Sequence, residues 1–415
     1  MGSKNKGGFI GGFDQLRAPD APTIGVATAS SEEVSVAFTT PSNAGTGTIS
    51  GYIVTAIAGS ASTGVSGSSS PITVDSLTNG TEYTFSVIAE SEYGYSPASG
   101  TVAATPAAPA YALNALGYNN TSGAALNSVE RLTISSSGDS ADFGDLTEGK
   151  YGSGSFCSTT RSIFAGGTTG SNTDVIEYFT AASAGNGTDF GDASTGGRYV
   201  ANGQINNTTR GVFNLGMVVN TSVNTIEYVT MASTGDSTDF GDLSKPRHWA
   251  GGASNATRGL FFAGDDASVG LNDDIDYITI ASTGNATDFG DTSHATARCS
   301  GCASSTRAVF DEGHTTNAVF SYVTIASTGN ATDFGTPVFA SGQNKLSGTC
   351  SAASATIGLF YGGLTAGGAT ETNRIQYITI ASTGNGTLWG NLAGGGTASL
   401  LYGSASCVGS AAATG

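Results

Sequence analysis

Short runs of alternating apolar and polar residues recur along the chain, separated by stretches rich in Gly, Ser, Asn and Thr. Three such runs lie near the beginning, at residues 34–38, 52–56 and 83–89. Alternation with a period of two residues is typical of strands that bury one face, and the intervening glycines and asparagines suit tight turns. The pattern therefore predicts an all-β chain.

From residue 111 onwards these runs are organised in a repeat. Its most constant string is Thr-Asp-Phe-Gly-Asp, whose aromatic residue recurs with gaps of 47, 50, 49, 45 and 55 residues, at Phe143, Phe190, Phe240, Phe289, Phe334 and Trp389. In the last five repeats a tyrosine precedes this aromatic residue by 12 positions, which indicates a hairpin of constant length. An Arg-Gly-Val-Phe-like strand comes before the hairpin and a Ser-, Gly- and Cys-rich strand after it, so we predict four strands per repeat.

A period near 50 residues with four strands per unit resembles the kelch repeat. The pairs Gly166-Gly167 and Gly362-Gly363 carry the same resemblance. One such unit cannot bury its own apolar face, so the units must stack. The first repeat lacks a Ser/Gly/Cys-rich strand and one is left over at residues 399–407, so pairing the two ends would close a ring. The resemblance implies a six-bladed kelch-like β-propeller over residues 108–415.

Residues 18–107 resemble a fibronectin type III domain. The resemblance is carried by the strings VAFTTPSNAG, GYIVTAIAG and EYTFSVIAESEYGYSPAS and by the closing ATP. Leu77 and Tyr83 match the tyrosine-corner region of that family, and Phe38 stands where the family usually has tryptophan. The resemblance implies an N-terminal immunoglobulin-like sandwich. No Arg-Gly-Asp string occurs, so integrin-type adhesion is not implied.

The first 17 residues, MGSKNKGGFIGGFDQLR, form a Gly-rich arm that is too small to build a core of its own. Its large apolar groups Phe9, Ile10 and Phe13 are predicted to anchor the chain in a partner protein. The arm is basic, whereas residues 18–106 hold seven acidic residues and no Lys or Arg.

The charge balance excludes several classes of function. The formal net charge is −17 and charged residues make up only 11 % of the chain, which disfavours nucleic-acid binding because phosphate neutralisation requires clustered Lys and Arg. No apolar run of 18 residues is present, and the N-terminus lacks the apolar segment of a signal peptide. We therefore predict no membrane insertion and synthesis in a cytoplasm without export.

The five cysteines, Cys157, Cys299, Cys302, Cys350 and Cys407, are irregularly spaced and are predicted to be buried free thiols. Cys299 and Cys302 form a single CxxC, which without a second ligand pair does not predict zinc. His248, His294 and His314 lie in different repeats with no shared register. We accordingly predict no catalytic residues, no cofactor and no metal.

Two sets of charged residues recur with the period of the repeat. Asp142, Asp189, Asp239, Asp288 and Asp333 precede the aromatic residue, and Lys150, Arg198, Arg247, Arg298 and Lys345 follow it. They fit either a ligand-binding rim or calcium sites, or else charge pairs and turn caps between neighbouring units. One Asp per turn favours charge pairs and turn caps, because calcium needs several oxygen ligands at one point. Trp249 and Tyr361 fit either glycan-stacking groups or core residues.

The string STGNATDFGD is similar to repeats of virion proteins from marine bacteriophages. The resemblance implies a non-enzymatic phage virion protein, present in several copies per particle. Residues 1–17 would bind other virion proteins, and the propeller would be displayed for host-surface glycan attachment or particle decoration. The alternatives are an exported bacterial surface adhesin and a carbohydrate-active propeller enzyme.

Overall fold

The computed structural model describes residues 16–106, 111–119, 123–181, 183–200, 202–313, 318–338, 348–365, 370–371, 373–393, 400–401 and 404–406. The chain divides into two compact units, Met1–Ala108 and Pro109–Gly415. The regular elements of the described residues are β-strands, which confirms the all-β prediction.

The first unit is a two-sheet sandwich. One sheet has the order β1-β2-β5, and in the other β3 lies between β4 and β6, with β7 and β8 also paired to β6. Its strands are β1 (Thr23–Ser30), β2 (Glu33–Thr39), β3 (Ile49–Ala58), β4 (Ala61–Gly67), β5 (Ile72–Val74), β6 (Tyr83–Ser91), β7 (Gly94–Tyr95) and β8 (Val102–Ala104).

Alternating burial along β2, β3 and β6 builds the core of the sandwich. Phe38 is buried and its ring centroid lies 4.7 Å from that of Tyr52, so the smaller aromatic fills the usual tryptophan position by packing on a second ring. The N–H of Thr78 donates to the hydroxyl oxygen of Tyr83 at 3.1 Å, and the neighbouring Leu77 is buried. This is the contact expected of a tyrosine corner.

The second unit contains the repeats, numbered 1 to 6 in chain order by their Phe143-to-Trp389 aromatics. Repeat 1 has β9 (Tyr111–Ala115), β10 (Tyr118–Asn119), β11 (Ala124–Ala125), β12 (Ser128–Thr133) and β13 (Ala141–Asp145); repeat 2 has β14 (Gly154–Cys157), β15 (Arg161–Ala165), β16 (Val175–Thr180) and β17 (Thr188–Asp192); repeat 3 has β18 (Asn202–Gly203), β19 (Arg210–Asn214), β20 (Met217–Val218), β21 (Thr221–Ser222), β22 (Thr225–Thr230) and β23 (Thr238–Asp242).

The second half follows the same plan. Repeat 4 has β24 (Gly251–Ser254), β25 (Arg258–Asp266), β26 (Gly270–Thr279) and β27 (Thr287–Thr296); repeat 5 has β28 (Gly301–Ala303), β29 (Arg307–Asp311), β30 (Phe320–Thr324) and β31 (Thr332–Gly335); repeat 6 has β32 (Cys350–Ala353), β33 (Ile357–Tyr361), β34 (Leu364–Thr365), β35 (Thr370–Glu371), β36 (Arg374–Thr379) and β37 (Thr387–Asn391), followed by β38 (Leu400–Leu401) and β39 (Ser404–Ser406).

Most repeats form one small antiparallel sheet. The orders are β14-β15-β16-β17, β24-β25-β26-β27, β28-β29-β30-β31 and β32-β33-β36-β37, and repeat 3 contributes β19-β22-β23. β18 pairs in parallel with β24 and β28 and joins the sheets of repeats 4 and 5.

The last of the described strands completes the sheet of the first repeat. β39 pairs antiparallel with β9, with Ser404 opposite Ala115 and Ser406 opposite Leu113. β38 pairs with β10, with Leu400 opposite Asn119. The predicted pairing of the chain's end with the first repeat is confirmed. It gives repeat 1 the order β13-β12-β9-β39.

Neighbouring repeats share their cores. Ile226 and Phe240 of repeat 3 pack in one buried cluster with Phe261 and Ile278 of repeat 4. Equivalent clusters join repeats 1 and 2, 2 and 3, 4 and 5, and 5 and 6, and one joins repeat 6 to repeat 1. The strands β14, β18, β24, β28, β32 and β39 lie side by side in that order, and β39 lies beside β14 again.

The turn between the tyrosine strand and the aromatic strand caps the preceding repeat. The N–H of Gly284 donates to the carbonyl oxygen of Phe240 at 2.7 Å, and Asn285 Oδ1 accepts from the N–H of Asp242 at 3.1 Å. Equivalent caps run from Asp145 to Asn186, Asp192 to Asp236, Asp291 to Asn330 and Thr336 to Asn385, and Asn391 of repeat 6 donates to Asp139 of repeat 1 at 2.9 Å. The Asn or Asp of the turn therefore binds the sheet of the preceding repeat as well as shaping its own hairpin.

Arginines at the start of the second strand tie the sheets together. The Arg258 guanidinium lies 4.6 Å from the ring centroid of Tyr277 in its own repeat, and its Nη1 donates to the carbonyl oxygen of Ile325 in the next repeat at 2.9 Å. The same arrangement holds for Arg161, Arg210 and Arg307. These arginines are structural.

Candidate binding site: a collar of left-handed residues

A residue with positive φ stands just before the small-residue strand that begins repeats 2 to 6. These residues, called the collar below, are Gly152 (φ 67°), Tyr199 (56°), Trp249 (51°), Arg298 (61°) and Gly348 (70°).

Backbone hydrogen bonds connect the collar from one repeat to the next. The N–H of Trp249 donates to the carbonyl oxygen of Tyr199 at 2.9 Å, and the N–H of Arg298 donates to that of Trp249 at 2.8 Å. Gly348 donates to Arg298 at 2.9 Å, and Val200 donates to Gly152 at 3.1 Å. The left-handed conformation thus turns each connecting segment so that its amide reaches the preceding repeat.

The left-handed backbone of the collar forms equally well without these side chains. Gly152 and Gly348 adopt the same φ without strain, whereas a bulky L-residue in the left-handed region costs about 1–2 kcal/mol. Tyr199, Trp249 and Arg298 carry that cost in three successive repeats. Strained non-glycine residues of this kind concentrate at ligand-binding sites.

The collar side chains belong to a continuous series of ring contacts. Ring centroids lie 5.0 Å apart for Tyr118 and Tyr151, 6.2 Å for Tyr151 and Tyr199, and 4.6 Å for Tyr199 and Trp249. The Arg298 guanidinium lies 4.2 Å from the Trp249 ring centroid. All five side chains are half-buried, so the series reaches the surface along its length.

Two polar groups beside the collar are held uncharged. Burial lowers the pKa of His248, against the opposing effect of Asp265, and the His248 Nδ1 lies 2.9 Å from Ser222 Oγ. Burial, with a smaller contribution from Tyr199, raises the pKa of Tyr151 to about 12. At neutral pH the site therefore offers an imidazole, phenols, an indole and a guanidinium.

This combination suits binding. Flat aromatic surfaces with a few hydrogen-bond donors are typical of small-molecule sites. Among the described residues, no group of three or more His, Cys, Asp or Glu side chains is placed to hold a metal ion.

Of the residues singled out from the sequence, Trp249 lies in the collar, half-buried, with Arg298 over its ring. Tyr361 is only 1 % exposed and packs in the cluster shared by repeats 6 and 1. Glycan stacking on Tyr361 is not compatible with this burial, and of the two interpretations of this residue the structure favours a core position. Phe9, Ile10 and Phe13 lie outside the described residues.

Four members of the site, Tyr118, Tyr151, Tyr199 and Arg298, were not singled out as ligand-stacking groups. For Tyr151, Tyr199 and Arg298 the available signal was an aromatic or arginine residue shortly before the small-residue strand in successive repeats. Sequence alone could not show that Tyr199 and Arg298 have positive φ.

The two charged sets of the repeat serve different purposes. The five aspartates that precede the aromatic residue are exposed. In the second set Lys150 pairs with Glu177 at 2.7 Å and Arg247 with Asp276 at 2.5 Å, and both pairs are fully buried. Each pair joins the segment after one aromatic strand to a strand of the following repeat. Charge pairs are thus found together with the turn caps and arginines described above. Lys345 lies outside the described residues.

The cysteine prediction is correct for three residues and wrong for one. Cys299, Cys302 and Cys350 are buried free thiols, and burial raises the pKa of Cys299 and Cys302. Cys157 is disulfide-bonded, which spacing alone could not reveal. Cys407 and His314 lie outside the described residues.

Comparison with known proteins identifies the first unit. Residues 18–105 match the fibronectin type III domain. A solved structure of domains A168–A170 of titin is 29 % identical over 22 % of this chain and 32 % of that one, so the match spans about a third of the titin fragment, with a TM-score of 0.21. No curated protein matches the chain. Within the described residues no helix is long and apolar enough to cross a membrane. Since sandwich topology, tyrosine corner and sequence match agree, residues 18–105 are a fibronectin type III domain.

Proposed function

We propose that residues 108–415 form a closed six-bladed, kelch-like β-propeller, one blade per repeat. The support is cyclic adjacency: shared cores and turn caps run from each repeat to the next, and those of repeat 6 run to repeat 1. The pairing of β39 with β9 is how such a ring closes without leaving an open edge.

We further propose that the chain is a non-enzymatic bacteriophage virion protein that displays this propeller for attachment to a host-surface glycan. The observation that carries the binding role is the collar, where Tyr199, Trp249 and Arg298 occupy strained positions that glycine fills in two other repeats. Aromatic rings match the C–H faces of sugars, and phenol and guanidinium donors match their hydroxyls. Weak sites of this kind act together when a particle carries several copies.

The virion assignment rests on the resemblance of the STGNATDFGD repeats to marine phage proteins and on the N-terminal arm. Phe9, Ile10 and Phe13 would anchor the chain in other virion proteins. Under this proposal phage assembly takes place in the host cytoplasm and lysis releases the particle.

An exported bacterial surface adhesin is the second candidate. The disulfide at Cys157 favours maturation in an oxidising compartment, which both an adhesin and a released virion would meet. Immunogold labelling of purified phage particles and of uninfected host cells separates the two, since only a virion protein labels the particles.

The binding role is tested with the full-length chain. Purified protein in large excess is expected to bind host cells and to reduce adsorption of whole phage. The double variant Tyr199→Gly/Arg298→Gly is expected to lose at least tenfold in both assays. Leu388→Ser, at an exposed position of an outer strand, is the matched control and should behave as the wild type. If the wild-type chain neither binds host cells nor competes with whole phage, the host-recognition proposal is rejected. Particle decoration then remains as the proposed role of the propeller.

A further inference from the structure

Two arginines flank the aromatic rings of the collar. The Arg198 guanidinium lies 5.2 Å from the ring centroid of Tyr199, and the Arg298 guanidinium lies 4.2 Å from that of Trp249. The two rings contact each other, with centroids 4.6 Å apart. The four side chains therefore form one chain of contacts that begins and ends with a cation.

Arg198 does not have the structural role of Lys150 and Arg247. Those two residues stand two positions before the collar residue of their segments, where each is buried in an ion pair. In the segment that leads to repeat 3, Gly197 occupies that position. Arg198 follows it, one position before the collar, at the place that His248 holds in the next segment.

The carboxylate at the ion-pair position of repeat 3 is satisfied without a cation. This residue, Glu227, is 1 % exposed and accepts hydrogen bonds from the N–H and hydroxyl of Ser194 and from the hydroxyl of Ser237. Among the ion pairs that the described residues form, none includes Arg198. The charge of Arg198 thus stays outside the ion pairs that stabilise the repeats.

The groups around the Arg198 guanidinium are uncharged. Its Nη2 donates to Asn220 Oδ1 and lies 3.3 Å from Met217 Sδ, and its Nε is buried without an acceptor among the described residues. Burial raises the pKa of Tyr151 and lowers that of His248, and in both cases the charge of Arg198 acts to lower the pKa. A half-buried cation among neutral groups has lost part of its hydration and gains from binding an anion.

The remainder of the chain does not attract anions. Its net charge is −17, and the aspartates that precede the repeat aromatics are exposed. Asp265 and Asp266 act on His248 and limit the positive region on that side. An acidic ligand is therefore favoured where the two guanidiniums lie and repelled by most of the other surface.

We propose that the glycan bound by the collar is acidic and carries carboxylate, sulfate or phosphate groups that Arg198 and Arg298 bind while its sugar faces stack on Tyr199 and Trp249. A guanidinium offers planar, paired N–H donors that match the oxygens of all three groups. The inference rests on the proposed glycan-binding function and narrows it to one class of glycan.

Direct binding to matched pairs of polysaccharides tests the proposal. The full-length chain is passed over immobilised polygalacturonate and its methyl ester, dextran sulfate and dextran, and phosphomannan and its dephosphorylated form. We expect the charged member of at least one pair to bind about tenfold more tightly than the neutral member, and the selective pair identifies the acidic group. Because the chain has a net charge of −17, general ion exchange does not produce this result.

Variants locate the binding at the two arginines. Arg198→Gln and Arg298→Gln, made separately so that a folding defect in one leaves the other informative, should each weaken binding to the charged polymer about tenfold. Arg198→Lys keeps the charge without the planar fork and should lie between Arg198→Gln and the wild type. Arg131→Gln removes the same charge from an exposed position of β12 and should bind as the wild type does.

The outcome separates this inference from the function on which it rests. Equal binding of charged and neutral polymers, unchanged binding by both arginine variants, or no polymer binding by a chain that does bind host cells overturns the acidic-glycan proposal and leaves host attachment standing. Arginine-dependent binding of a charged polymer without binding to host cells supports the chemistry of the site and rejects host attachment. A chain that binds neither polymers nor cells contradicts both proposals.

Discussion

The guanidinium of Arg298 lies 4.2 Å from the ring centroid of Trp249, and the backbone N–H of Arg298 donates to the Trp249 carbonyl oxygen at 2.8 Å. The backbone bond recurs around the collar, including at Gly348, where there is no side chain. The ring contact depends on the side chains alone. The backbone of the collar therefore serves the fold, and the side chains at these strained positions are available for another purpose.

This separation can be measured at Trp249. Trp249→Ala and Trp249→Gly remove the same ring contacts, but only glycine adopts φ near 51° without strain. We expect the glycine variant to be more stable than the alanine variant by about 1 kcal/mol. Urea unfolding of the full-length chain measures the difference. Circular dichroism is the signal, in place of tryptophan fluorescence, because both variants lack Trp249. Gly152→Ala is the reciprocal control and should be destabilising, since an added Cβ lies 2.9 Å from the Tyr199 ring.

The turn caps predict that Asp can replace Asn but Ala cannot. Asn285→Ala removes the acceptor for the Asp242 N–H and should cost about 1 kcal/mol. Asn285→Asp should retain nearly all stability, because Asp236 and Asp139 already make the equivalent bond elsewhere. Chemical denaturation of both variants checks this, and equal losses would show that the cap contributes through another property of Asn285.

The buried pair Arg247–Asp276 should be costly to break singly. Arg247→Met leaves Asp276 as an uncompensated buried charge and should destabilise by about 3–5 kcal/mol. The double variant Arg247→Met/Asp276→Leu removes both charges and should recover most of that loss. Thermal unfolding of the two variants and the wild type gives the comparison. A double variant as unstable as the single one would contradict this account.

Asp311 should make stability depend on pH. Burial raises its pKa from 3.8 to about 7, opposed by hydrogen bonds from Thr349 and the Ser300 N–H. Between these two values the folded state holds a proton that the unfolded state releases, so stability falls as pH rises from about 4 to about 7, with a slope of up to about 1.4 kcal/mol per pH unit. Asp311→Asn should reduce this slope in denaturation curves taken at several pH values. Asn214 fills the equivalent place in repeat 3, so the substitution fits.

Tyr361 offers a test of a buried hydroxyl. Its oxygen has no hydrogen-bond partner among the residues that the structure describes, and burial raises the pKa of this hydroxyl well above the usual value. Tyr361→Phe removes an unsatisfied polar group while keeping the ring, so the variant should be as stable as the wild type or more stable by about 1 kcal/mol. A loss of stability in calorimetry would contradict the interpretation of the hydroxyl as an unsatisfied buried group.

Much of the fold was predictable because it depends on local and periodic features. The constant spacing of 12 residues places Tyr228 and Phe240 on adjacent strands, where their rings meet edge to face at 6.0 Å, and the same holds for Tyr277 and Phe289. The sandwich, its boundaries and the pairing of the last strand with the first repeat follow from alternation, turn residues and strand count.

The candidate site was harder to predict from the sequence, because it depends on how the repeats pack against one another. Trp249 and Tyr361 were equivalent in sequence, each an aromatic residue in a repeat, but packing places one half-buried on the collar and the other in the core shared by repeats 6 and 1. The sign of φ at Tyr199, Trp249 and Arg298 comes from hydrogen bonds to the preceding repeat, about 50 residues away. The sequence by itself determined the strands, the repeat and the order of pairing, whose physics is local; only the tertiary structure decided which side chains are strained, stacked and displayed, because those properties arise from contacts between repeats.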